Sequence, residues 1–161
     1  SWAVWLGGFP NEISYIEQQV TVPPGNSYLA YWHWIASQDI CGFDFGGVVV
    51  NGSTVVEVYN LCSSTNTGGW VKRVVNLNTY AGQSISLQIR AETDDILNSN
   101  LFIDDVSFQS SATLAATGTT EPPLILDLDL ANTRSMPPEQ AQNGDRPAPQ
   151  FLLRPNDYKS R

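Results

Sequence analysis

The chain has 161 residues, with 16 acidic and 8 basic side chains for a net charge of −8 and a pI near 4.3. That length allows one ordinary domain with an extension. The charge argues against nucleic acid as a partner, because so few cations displace few phosphate counterions. No apolar run approaches the roughly 20 residues of a membrane-spanning helix.

The chain opens on Ser1-Trp2 with neither an initiator Met nor a signal-peptide pattern, so its start is expected to be a processed or excised end. Residues 15–22 place Ile16, Val20 and Val22 in alternation and stop at the turn Pro23-Pro24-Gly25-Asn26. Residues 28–36, YLAYWHWIA, are aromatic enough for a central strand buried on at least one face. Val48-Val49-Val50, then Asn51-Gly52, then residues 54–58 read as a hairpin closed by a two-residue type I′ turn. Residues 70–77 and 84–91 follow, joined by Tyr80-Ala81-Gly82-Gln83. With no helical period between them, these strands predict an all-β antiparallel sandwich.

The last strand, Leu101-Phe102-Ile103-Asp104-Asp105-Val106-Ser107-Phe108, carries two adjacent carboxylates through an apolar run. Burying an unpaired carboxylate is costly, so at least one is expected to have a cation, an arginine or backbone N–H groups as partner.

A boundary falls near Ser110. Residues 1–109 hold all five tryptophans, both cysteines and ten of twelve glycines, whereas residues 110–161 hold seven of ten prolines and no Trp or Cys. The first part is therefore read as the folded domain and the second as an extended Pro-rich arm. Within the arm, residues 124–130 end in strict alternation (Leu124, Leu126, Leu128, Leu130), a strand signature, and residues 150–155 form a second apolar patch.

Cys41 and Cys62 stand 21 apart. With His33 as the single histidine, a zinc site lacks ligands. The pair is read as a disulfide rather than two buried thiols, which places the protein outside the reducing cytoplasm.

Several motifs resemble the MAM-like and carbohydrate-module-like jelly rolls of secreted bacterial proteins, including cleaved-adhesin-type domains. They are Trp5-Leu6-Gly7-Gly8, Ala30-Tyr31-Trp32-His33-Trp34, Asp39-Ile40-Cys41-Gly42-Phe43-Asp44, Leu61-Cys62-Ser63-Ser64 with Gly69-Trp70, Ala81-Gly82-Gln83 and residues 101–108. The likeness spans nearly all of 1–109 and none of 110–161. It implies a jelly-roll sandwich. It also implies further strands ahead of Trp5-Leu6-Gly7-Gly8, here removed, supplied by another chain or leaving an open edge.

The resemblance puts a structural calcium ion at Asp104, with Asp94, Asp39, Asp44 and Asp95 as nearby oxygen donors; a capping role for Asp104 or a pair with Arg90 is the other reading. Asp105, on the opposite face, is expected to be solvated. Trp2, Trp5 and Trp34 are the candidate ligand-binding aromatics, with Tyr15 also considered, while Trp32 and Trp70 read as core. Adjacent strand residues point to opposite faces, so neither Asp94-Asp95 nor Asp104-Asp105 makes a facing pair for glycoside hydrolysis. His33 lacks a nucleophile motif and reads as packed. No enzyme is expected. The expected function is a non-catalytic extracellular adhesion or recognition module that binds protein or glycan at the bacterial cell surface. The competing reading is a structural subunit that joins other subunits through Leu124, Leu126, Leu128 and Leu130 by strand addition.

Overall fold

The structure is a computed structural model that describes residues 3–113, the backbone of 124–125, and residues 152–154. The described residues form nine strands: β1 Val4–Gly7, β2 Ile13–Thr21, β3 Tyr28–Ser37, β4 Phe45–Val50, β5 Thr54–Asn60, β6 Val71–Asn76, β7 Ser84–Glu92, β8 Ser99–Gln109 and β9 Leu124–Ile125. One sheet runs β1-β8-β3-β6, with β9 also on β8; the other runs β2-β7-β4-β5. Every pairing is antiparallel. Most successive strands cross from one sheet to the other, the arrangement of a jelly roll.

Alternation along each strand divides core from surface. In β3, Leu29, Tyr31 and Ile35 face inward with Leu101 and Ile103 of β8. They meet Ile16 and Val20 of β2, Val48 and Val50 of β4, and Ile85, Leu87 and Ile89 of β7 from the second sheet. The hairpin forms, with a three-residue connection, Asn51-Gly52-Ser53, between the paired Val50 and Thr54 in place of the expected two-residue one. Asn51 and Gly52 have φ of 53° and 75°, the left-handed pair a type I′ turn requires, and a bulge interrupts the ladder between Val48 and Val49.

Of the two acidic residues of β8, Asp105 is solvated as expected, and Asp104 is not enclosed as the apolar run suggested. The β3–β8 register shifts between Ala30 and Trp32, and Asp105 takes φ 49°, so an extra residue bulges out of β8. The bulge lets Ile103 and Val106 both turn inward, while Asp104 stays half-buried and Asp105 exposed. Arg90 does not serve Asp104; it pairs with Glu92 on the other sheet.

Cys41 and Cys62 form a disulfide that ties the loop before β4 to the end of β5. Among the described residues, no helix is long and apolar enough to cross a membrane. Leu124–Ile125 pair with Phe108 and Ser107 of β8, past the last partner of β1. Leu126, Leu128 and Leu130 lie outside the described residues, as does Trp2.

Candidate recognition face and carboxylate cluster

The outer face of the first sheet carries a row of aromatic side chains. It arises from register: Trp5 of β1 stands opposite Phe102 of β8, and Phe102 stands opposite Trp34 of β3. Trp70 precedes Val71, which pairs with His33, so it flanks Trp34 on the far side. Ring centroids confirm the continuity: Trp5–Phe102 6.3 Å, Phe102–Trp34 6.3 Å and Trp34–Trp70 6.1 Å. Phe9 stacks on Trp5 at 6.1 Å and extends the row. Trp5, Trp34 and Trp70 are 53, 38 and 39 % exposed, unusual for side chains that large. Four strands about 4.8 Å apart give the row a span of roughly 14 Å.

Trp5 is held in place. Its Nε1–H donates to Asn100 Oδ1 at 2.9 Å, and Asn100 Nδ2 donates to the Ala36 carbonyl at 2.9 Å. Gly8, at φ +90°, lies beneath the indole, where any Cβ would collide with the ring. The Trp-Leu-Gly-Gly motif therefore seats an exposed tryptophan.

Trp32 and Trp70, read as core from the sequence, are both 39 % exposed. The aromatic run in β3 occupies both phases, and Leu29 and Ile35 select the phase of Tyr31 and His33 for the interior. His33 is buried between Tyr31 and Tyr59. Burial, reinforced by the Arg73 charge, lowers its pKa to about 4 against the pull of the Val71 backbone. It lines a cleft of about 490 Å³ with Tyr59, Arg73 and Thr65, and the Thr65 hydroxyl is committed to the Asn60 carbonyl at 2.8 Å.

Asp39, Asp44 and Asp94 converge where β3 ends, β4 begins and β7 ends. All three are buried, and their ligand oxygens lie within 4.8 Å of one another. The β4–β7 pairing, Phe45 opposite Glu92, brings Asp44 beside Asp94. Ser63 N–H donates to the Asp39 carbonyl and Leu61 N–H to the Asp44 carbonyl, each at 2.8 Å, fixing the loop between them. Each carboxylate receives one backbone N–H on Oδ1: Ile40 to Asp39 at 2.7 Å, Asp94 to Asp44 at 2.6 Å and Ile96 to Asp94 at 2.8 Å. Asp44 Oδ2 is buried without a hydrogen-bond partner. Burial pushes the Asp44 carboxyl up to about 6; the Ser99 hydroxyl and the Asp94 amide oppose this, and the Asp39 and Asp94 charges add to it.

Of the three residues expected to hold a cation, Asp39 and Asp94 come together and Asp44 completes the group. Asp104 points outward opposite Trp32, five residues along β8 from Ser99 and about 17 Å away at 3.4 Å per residue. The orphaned Asp44 oxygen and the all-carboxylate donor set fit a hard cation such as calcium. No protein-family model matches the chain, and no curated protein matches it.

Proposed function

We propose that this chain is a non-catalytic extracellular recognition module that binds glycan across the row Trp5–Phe102–Trp34–Trp70. The observation that carries this reading is the row itself: exposed Trp5, Trp34 and Trp70 joined through half-buried Phe102, across three strands and the residue that leads into β6. A flat aromatic face takes the C–H side of a sugar ring, and a row takes several consecutive rings. Asp104, Trp32 and Lys72 occupy the next row and supply hydrogen-bonding groups for sugar hydroxyls. The resemblance to carbohydrate-module-like jelly rolls and the disulfide support an extracellular setting. The non-catalytic reading is supported by the burial of Asp39, Asp44 and Asp94, which keeps those acids from a substrate on the sheet face.

A calcium ion held by Asp39, Asp44 and Asp94 would neutralise buried charge and stiffen the loops next to Asn100 and Trp5. It would act structurally.

Screening the purified chain against immobilised glycans tests the assignment. Retention on a defined glycan class, lost on Trp34→Ala, is expected; retention on none would count against it.

The second reading, a subunit that joins others through its arm, is favoured by the pairing of Leu124–Ile125 on β8. The edge of β8 beyond β1 accepts an added strand. Native mass that rises with concentration would favour that reading over a stand-alone binder.

A further inference from the structure

The outer face of the second sheet holds an arrangement unrelated to the aromatic row. In β7 the outward side chains Gln88, Arg90 and Glu92 are buried, and in β4 the outward positions are Phe45, Gly47 and Val49. Leu153 lies over them, 5 % exposed, and forms with Phe45 and Val49 an apolar cluster separate from the main core; Leu152 packs against its edge. Gly47 leaves this face hollow: a Cβ there would collide with the Glu57 carbonyl oxygen and stand 2.8 Å from Leu153 Cδ2.

Glu92, fully buried, receives the segment's backbone. Its Oε1 accepts from Leu152 N–H at 2.7 Å, and its Oε2 accepts from Leu153 N–H at 2.9 Å and Arg154 N–H at 3.3 Å. Arg90 Nε donates to Oε1 at 2.7 Å and holds the carboxylate in place. Three successive backbone N–H groups converging on one anion form a nest. The segment contributes the nest and the sheet contributes the anion. Backbone groups set the affinity and a pocketed side chain sets the selectivity, the usual division in peptide recognition.

Forty-two residues (110–151) separate the end of β8 from Leu152, and the eight strands of the jelly roll pair with one another without this segment. The hollow is therefore a receptor surface whose occupant arrives on a long connection. We propose that it is a peptide-binding site, distinct from the aromatic row, whose ligand is a Leu-Leu-Arg segment bent so that its three successive N–H groups face one carboxylate. Its own residues 152–154 fill it, and the same segment offered by a separate molecule binds it once they are displaced.

The test uses the full chain carrying Leu153→Asp, which sets a carboxylate against the hollow and disables the resident segment. A fluorescent peptide with the sequence of residues 149–156 is titrated into this variant and into the unmutated chain. Saturable binding to the variant, at least tenfold tighter than to the unmutated chain, is expected. Methylating the backbone nitrogen at the peptide's second leucine should weaken binding at least tenfold, since it removes the N–H given to Glu92. Absence of saturable binding to a variant with native near-ultraviolet circular dichroism would overturn the proposal, as would equal binding of the methylated peptide. Should the variant not fold, amide exchange on the unmutated chain decides. The Leu152 and Leu153 amides should exchange at least a hundredfold slower than in the free peptide, and exchange as fast as the peptide would overturn the proposal.

Discussion

Asp44 concentrates the electrostatic tension of the molecule. Its folded pKa of about 6 stands above the ordinary 3.8, so between those values the folded chain binds more protons than the unfolded one. Without a cation, its contribution to stability therefore declines as pH rises through that window and is least favourable above about 6. His33 acts in the opposite sense. Its pKa is lowered to about 4 from 6.5, so its contribution is full above 6.5 and lost as pH falls toward 4. Comparing Asp44→Asn with the unmutated chain separates the two. At pH 7.5, calcium should raise the melting temperature and a chelator lower it, with the calcium effect shrinking at pH 5 as protons compete for Asp44. Asp44→Asn should abolish the calcium shift yet melt no lower than the unmutated chain in chelator. A calcium shift that survives the substitution would count against the carboxylate cluster as the site. Asp39 and Asp94 were legible as oxygen donors in loops. Asp104 drew attention from the resemblance and from an apolar strand context, and the β8 bulge, which keeps both of its carboxylates outward, leaves no local mark in the sequence.

The strands were legible because alternation, Pro-Gly turns and Asn-Gly each reflect a local rule. β1 carries no strand signature: four residues with Trp5 outward show too little alternation. The faces of β3 were ambiguous because Tyr31, Trp32, His33 and Trp34 are all aromatic, and burial followed Leu29 and Ile35. The loop between β3 and β4 carries Asp39, Cys41 and Asp44, and the Cys41–Cys62 disulfide anchors it to the end of β5. Replacing both cysteines by serine should cost roughly 3 kcal/mol in the chain-entropy account, seen as a lower urea midpoint, and should weaken calcium binding by loosening the loop. An unchanged midpoint would show that the hydrogen bonds of Ser63 and Leu61 hold the loop without the disulfide.

At the scale of the molecule, the jelly roll presents two outer faces with separate chemistry. The aromatic row lies on the β1-β8-β3-β6 sheet and the Glu92 hollow on the β2-β7-β4-β5 sheet, with the core between them. Packed sheets lie about 10 Å apart, and the two sites share no residue, so substitutions at one should not be felt at the other. Trp34→Ala should leave peptide binding by the Leu153→Asp chain within twofold; a larger change would mean that the core couples the faces. Glu92 and Leu153 could not be matched from sequence. Sixty-one residues separate them, and an anion held by backbone N–H groups requires no distinctive residue at the donor end.

The most direct test of the central claim is quantitative binding of the unmutated chain, Trp34→Ala and Trp70→Ala to a panel of polysaccharides. Saturable binding of the unmutated chain to at least one polysaccharide is expected. Either exposed-tryptophan substitution should weaken it at least tenfold while leaving the melting temperature unchanged. Binding to none, or binding indifferent to both substitutions, would contradict a glycan-recognition face on this sheet.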